Sequence, residues 1–329
     1  MEQGRHAAAR IVALVAMTVG AIVAINAGLA TPSAAQSFIN QTAVAEFVDR
    51  QTGPIDDVPD AFYEYYVMRS SRDNTVHARN TLYYVIGGGD VELGQERAKV
   101  VGLLNRVLIE TAQIGDTLII PTRYDVDFRA YSPFPRYYTG ARDVPKLFII
   151  HKTIQAFAAY EHGRLIRWGI VNTGAPESPT PNGRFNFNWK TEYRISTLSP
   201  EDEPWEMWWV FNFHQERGIH IHQFAMPTGG PQSHGCVRLL EPDAMFIYNW
   251  ADTWRTGSGG GEASIGAENV IAQGTPVLVL GDDPVDEAEP FTFRDRYPVL
   301  RLVELPDDPM AVPAGSPQQE RFDKLSSVR

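Results

Sequence analysis

The chain has 329 residues, 43% of them hydrophobic and 11% aromatic, enough apolar matter for one large or two modest cored domains and too much for a disordered protein. Forty acidic residues against 29 basic ones give a formal charge of -11, with no dense cationic block to offset it. That balance excludes sequence-independent binding of nucleic acid, which needs clustered cations.

The amino terminus reads as an export signal. Arg5 and Arg10 precede an apolar run from Ile11 to Ala30, and Ser33, Ala34 and Ala35 supply small residues for cleavage after Ala35. At about 1.5 Å per residue the run is also long enough to stay as an uncleaved membrane anchor. Either outcome places the rest of the chain outside the cytoplasmic membrane, in the periplasm or cell envelope. There the single cysteine, Cys236, cannot close an internal disulfide; it is a reactive thiol, an intermolecular bridge or a small buried hydrophobe.

Residues 36–80 are polar and mixed, and the aromatic patch Phe62, Tyr63, Tyr65 and Tyr66 suggests a helix or packed segment. Within Gln95–Gln113, Val100, Leu103, Leu104, Val107 and Leu108 recur at helical spacing and predict an amphipathic helix. Gly115 to Pro121 then reads as a turn and a short strand stopped by proline. This closing pattern resembles the end of LysM wall-binding modules; the alternative is an unrelated packing domain. Residues 36–125 are therefore expected to be a small accessory domain, and 126–145, rich in proline and tyrosine, a connector.

From residue 146 the pattern turns to strands. Leu147–His151, Ala156–Tyr160 and Leu165–Val171 are short apolar or alternating runs separated by turn residues, which predicts a meander of hairpins. Thr180-Pro181-Asn182-Gly183 is a strong turn. Further strands are expected at Trp208–Phe213, Gly218–Ile221 and Val277–Leu280, with one helix over Glu241–Thr253, where Pro242 suits an early helical position. Trp205 to Phe213 is expected to be core rather than a sugar platform. Gly257 to Gly261 reads as a flexible insertion, and the acidic, proline-rich extension 283–329 carries one expected strand at Val299–Val303. The fold class is α+β, with a mostly β domain over 146–282.

Chemistry concentrates between Gly218 and Leu239, where three histidines, the only cysteine, a serine and an arginine fall within 22 residues. A thiol attacks as thiolate and needs a neighbouring base or positive charge to be ready at neutral pH. His220 and His222 with Cys236 or His214 would also suit tetrahedral zinc by ligand type, although the spacing is unlike paired-cysteine zinc motifs.

Ser233-His234-Gly235-Cys236-Val237-Arg238, with His220 sixteen positions before Cys236 and the Thr180 to Gly183 turn upstream, resembles the L,D-transpeptidase catalytic domain, also called YkuD. The likeness implies a β-rich YkuD-like domain that acts on peptidoglycan stem peptides and needs no cofactor or metal. It implies Cys236 as nucleophile, His220 as proton donor and acceptor, and the backbone around His234, Gly235 and Cys236, with Ser233, as oxyanion or site support. Arg238 would hold a substrate carboxylate. The chain departs from the family pattern at Ile221 and His222; His222 is expected to line the cleft. The implied reaction releases D-alanine and joins the acyl group to an acceptor amine. An L,D-carboxypeptidase using the same pair, or a non-catalytic wall-binding protein, are the alternatives.

Overall fold

The computed structural model describes residues 37–228, 230–257, 270–284, 290–293 and 299–326. The expected export segment, and all of the glycine-rich insertion except Gly257, lie outside the described residues. No helix among the described residues is long and apolar enough to cross a membrane.

In chain order the elements are α1 (Gln41–Asp49), β1 (Tyr63–Val67), α2 (Thr75–Ile86), α3 (Val91–Asn105), β2 (Thr117–Pro121), β3 (Lys146–His151), β4 (Ala156–Glu161), β5 (Arg164–Asn172), β6 (Gly183–Asn186), β7 (Lys190–Ile195), β8 (Glu206–His214), β9 (Ile219–Gln223), β10 (Val237–Leu239), α4 (Glu241–Trp250), β11 (Arg255–Thr256), β12 (Val270–Ala272), β13 (Pro276–Leu280) and α5 (Pro317–Ser326). The aromatic patch is strand β1, paired antiparallel with β2, rather than a helix. The amphipathic helix starts earlier than its apolar periodicity suggested, at the Asp90 cap, and stops at Arg106, which caps it in the left-handed conformation (φ 59°). Val107 and Leu108 thus fall beyond it. Val299–Val303 is no strand: Leu300 makes a single bridge to Thr292, while Val303 donates to Pro133.

Nine strands form one sheet in the order β6-β13-β3-β4-β5-β10-β9-β8-β7. Period-2 alternation divides each central strand between two cores. On β3, Leu147 and Ile149 face a core shared with the amino-terminal segment, while Phe148 and Ile150 face a second core under α4. The sheet curls over this second core until strands near its two ends meet. Phe185 on β6 lies 5.4 Å from Phe213 on β8, and Phe187 stacks on Phe211 at 4.1 Å.

The described residues pack as one compact unit. The amino-terminal segment is bound to the sheet by buried polar contacts as well as apolar ones. Gln51 acts as a strand-like partner for Trp168, accepting from its N–H at 2.9 Å and donating to its carbonyl at 2.8 Å. Arg106, beyond α3, donates to the carbonyls of Ile154 and Gln155 in the β3–β4 turn at 2.7 and 2.6 Å. Buried Arg167 on β5 joins Asp49 at the end of α1 to Asp243 on α4, each at 2.7 Å.

Candidate active site

The site is built where β9 and β10 run parallel. Val237 pairs with Ile221 and Arg238 with His222. This register is an offset of sixteen residues, so a histidine sixteen positions before the cysteine is carried to its side by strand pairing alone. On β9 the alternation sends Ile219 and Ile221 into the core under α4 and turns His220 and His222 to the opposite face. On β10, Val237 and Leu239 enter that core and Arg238 points away from it.

His220 Nδ1 lies 3.7 Å from Cys236 Sγ, and the Gly218 carbonyl lies 4.0 Å from the same sulfur. Both side chains open into a cavity of about 550 Å³ that is also lined by His222, Ser233, His234 and Arg238. Gly235 is buried and is not among the residues that line it. His214 is outside it, against Phe185, with Nδ1 3.5 Å from Glu216. Among the described residues no group of three or more His, Cys, Asp or Glu is disposed to hold a metal ion.

The loop before the cysteine is fixed from within and from below. Ser233 Oγ accepts from the Gly235 N–H at 3.2 Å and donates to the Cys236 carbonyl. Thr180 is fully buried; its hydroxyl donates to the Gly235 carbonyl at 2.8 Å and accepts from the Gly174 N–H at 3.0 Å. Gly235 has φ 105°, a conformation that favours glycine. At Gly174 a Cβ would sit 2.1 Å from the Ser178 carbonyl oxygen and 2.8 Å from the Gly235 Cα, so only glycine lets the two loops approach. The Thr180 turn is therefore the underside of the cysteine loop.

Residues 145–279 match the family model of the L,D-transpeptidase catalytic domain, YkuD. This stretch of the chain is a YkuD domain. Its described part holds the curled sheet and the Cys236–His220 pair. No curated protein matches the sequence. Among solved structures, the L,D-transpeptidase from Mycobacterium smegmatis is 17% identical, with 41% of this chain and 58% of that chain covered and a TM-score of 0.32. One from Stackebrandtia nassauensis is 22% identical over 43% and 57%, TM-score 0.31. Residues 123–326 of one from Xylanimonas cellulosilytica are 20% identical over 70% and 100%, TM-score 0.36. The chain thus spans less than two thirds of the mycobacterial chain it matches.

Electrostatically, the YkuD domain keeps its central pair neutral at rest. Burial holds the His220 imidazole down to about 3, with the charges of His222 and Arg194 adding to the effect. Burial pushes the Cys236 thiol up, against lowering contributions from His220, Arg238 and Arg194. His222 is also held down, to about 4, by burial, although its Nδ1 lies 2.9 Å from the Gln223 carbonyl. Arg238 sits over the Phe224 ring at 4.9 Å and donates to the Ala225 carbonyl at 3.4 Å.

Four residues of the site carried no chemical signal in the sequence. Trp189 meets His220 edge to face at 5.2 Å and is itself fixed by Nε1 donating to Gln215 at 2.7 Å. Arg194 lies over the Trp189 ring at 5.4 Å. Trp205, in the β7–β8 hairpin, stacks on His234 at 5.1 Å and lines the cavity. Thr180 read only as a turn residue. The expected core run therefore divides: Val210, Phe211 and Phe213 are buried, Trp205 faces the cleft, and Trp208 is 41% exposed.

Proposed function

We propose that this protein is an exported L,D-transpeptidase that resolves peptidoglycan stem peptides through a thioester on Cys236. The observation that carries the reading is the Cys236–His220 pair at 3.7 Å, lining a cavity of about 550 Å³, in a YkuD domain. Cys236 Sγ gives its proton to His220 Nδ1 as it attacks the carbonyl of the third stem residue. The tetrahedral intermediate collapses with cleavage of the C–N bond, and the His220 imidazolium returns the proton to the departing D-alanine amine. An acceptor amine then loses its proton to His220 as it attacks the thioester, and the thiol is regenerated.

The Gly235 N–H is held by Ser233 Oγ, so the oxyanion falls to the neighbouring backbone donors at His234 and Cys236, as preorganised amides in a half-dry loop. Arg238 takes a substrate carboxylate, and His222 forms the floor of the cleft beside it. Incubation of the full chain with a tetrapeptide-bearing muropeptide and an amine acceptor tests the reading. Released D-alanine and an amide-linked product are expected. Tripeptide alone in the presence of abundant acceptor identifies a carboxypeptidase, and binding without any turnover identifies a wall-binding protein.

A further inference from the structure

The cysteine loop is held on a second side, and there the holding groups are side chains. β5 ends at Asn172, which pairs with Arg238 on β10; on its other side β4 begins at Ala156, opposite Ile170. The backbone of Thr173 has thus run past both ladders. Beside it lies the limb that leads to Cys236, residues 230–233. Ser233 joins the two through the backbone: its N–H donates to the Thr173 carbonyl at 3.0 Å, and its carbonyl accepts from the Ala175 N–H at 2.7 Å.

Two buried amides complete this contact. Asn172, 2% exposed, donates from Nδ2 to the Gly230 carbonyl at 2.7 Å and accepts at Oδ1 from the Gln232 N–H at 3.0 Å. Gln155, in the β3–β4 turn, is fully buried. Its Oε1 accepts from the Thr173 N–H at 2.9 Å, and its Nε2 donates to the Thr173 hydroxyl at 2.8 Å and to the Lys152 carbonyl at 2.7 Å. Each side chain offers a donor and an acceptor as a peptide group does, where buried backbone groups have left the strands that would pair them. Gln155 also has φ 48°, a conformation uncommon outside glycine, and such strain persists only where surrounding contacts hold it. The path from Gln155 is short. It fixes Thr173, Thr173 fixes Ser233, and Ser233 Oγ holds the Gly235 N–H and the Cys236 carbonyl.

We infer that Asn172 and Gln155 are positioning residues of the cleft, whose side-chain amides stand in for strand neighbours and set the 230–233 limb so that Ser233 holds Cys236 and its adjoining backbone donors in reacting position. Neither lines the cavity, so both act through the loop. The inference rests on the proposed transpeptidase reading for its peptide, but the fixing of the thiol does not. At Asn172 the donor is the group that matters. An aspartate there keeps the size and the acceptor for Gln232, yet sets an anion against the Gly230 carbonyl. Protonation gives that carboxyl an O–H to donate and restores the contact. Burial raises such a carboxyl, so the contact returns as pH falls, above the ordinary aspartate value of about 3.9.

The test reads acylation of Cys236 in the full chain by p-nitrophenyl acetate. The sulfur attacks the acetyl carbon, its proton passes to His220, the ester C–O bond breaks, and p-nitrophenolate leaves a thioester behind. The burst rate of p-nitrophenolate is compared for Asn172→Asp and the unaltered protein from about pH 8 to about pH 5, the range in which a raised carboxyl titrates, wherever circular dichroism shows both folded. At the alkaline end the variant should be slower by about 10²-fold, the loss that a misplacement near 1 Å brings. The gap should narrow by about tenfold or more toward acid, as the protonated fraction grows tenfold per pH unit. Thr173→Val removes only the hydroxyl that Gln155 holds; it should slow the burst with no such narrowing and, with a tetrapeptide donor, lower kcat while sparing KM. A constant ratio of Asn172→Asp to the unaltered protein across pH, or a Thr173→Val burst at the unaltered rate, overturns the positioning. Should Asn172→Asp not fold, Thr173→Val decides alone by the same criterion. If the ratio closes with pH while the unaltered protein turns over no stem peptide, the positioning stands and the transpeptidase reading falls.

Discussion

Thr180→Val probes whether the turn beneath the cysteine loop is part of the site or only a bend in the chain. Valine keeps the shape of threonine and removes one oxygen. That oxygen serves the Gly235 carbonyl at 2.8 Å and the Gly174 N–H at 3.0 Å, in a place with no solvent exposure. Two buried backbone groups lose their partner at about 1–3 kcal/mol each, so the variant is expected to lose about 2–6 kcal/mol overall. This is a large share of an ordinary domain stability of about 5–15 kcal/mol. The midpoint of urea unfolding should fall at unchanged slope. Gly235 is adjacent to Cys236, so relaxation of its carbonyl also displaces the thiol. A misplacement near 1 Å costs about 10²-fold in rate. Thr180→Ser restores the hydroxyl and should recover most of both losses. The reasoning fails if Thr180→Val unfolds within about 0.5 kcal/mol of the unaltered protein and keeps its kcat/KM.

Cys236→Ala should abolish turnover while leaving the urea midpoint nearly unchanged, and His220→Ala should depress acylation by roughly 10²–10⁴-fold; dispensable His220 with essential His222 would move the base to β9's second histidine. Because burial holds His220 down to about 3, the base stays neutral well below the usual histidine range. The acid limb of kcat/KM should therefore lie below about pH 5, and a limb centred near the ordinary value of about 6.5 would contradict the buried site. The same sign governs stability. His151, His220 and His222 are held down to about 4, 3 and 4, so the unfolded chain binds more protons once pH drops below about 6.5. Unfolding free energy should be insensitive to these groups above that pH and decline as pH falls through it, with a shallower decline in His222→Asn. A chelator should leave Cys236 turnover intact while a thiol alkylating reagent removes it with one label per chain; stoichiometric zinc and loss on chelation would reverse that reading.

The parts of the fold that were legible are those where one local rule acts without competition. The hairpins of β3, β4 and β5 announce themselves because each strand alternates toward two apolar cores and each turn has its own residues. The pair Cys236 and His220 was legible through the resemblance, whose sixteen-residue spacing is the register by which β9 and β10 bring the two side by side. The ends of α3 were misplaced because Val107 and Leu108 continue a helical period by coincidence, filling the core after Arg106 has already closed the helix. The Tyr63–Val67 strand carries no clear strand signal because both its faces hold aromatic residues, which removes the alternation that marks a half-buried strand. β7 and β10 were overlooked for different reasons. The first is a polar edge strand, and the second is only three residues long. Arg194, Trp189 and Thr180 carry no spacing rule toward Cys236. Only the curl of the sheet and the packing of two loops bring them there.

The neutral resting pair constrains how this cleft can activate its sulfur. A pre-formed thiolate and imidazolium would require the histidine to hold a proton that burial withholds, and the sulfur to hold a charge that burial penalises. In the proposed reaction, reactivity then comes with the substrate, when proton transfer and attack occur together and the developing charge passes to the acyl oxygen and the backbone donors. That places the weight of catalysis on position: on the parallel register that sets His220 beside Cys236, on Trp189 against the imidazole, and on Thr180 and Ser233 beneath the loop. It also bears on Arg238, whose charge lowers the thiol and which takes the substrate carboxylate in the proposed reaction. An incoming carboxylate offsets the cations that otherwise favour a thiolate, so substrate binding itself makes the thiol harder to ionise in advance. His220 is thereby required at the moment of attack, and an active site of this kind should lose nearly all its peptide turnover without the histidine while still reacting with small neutral alkylating agents at alkaline pH.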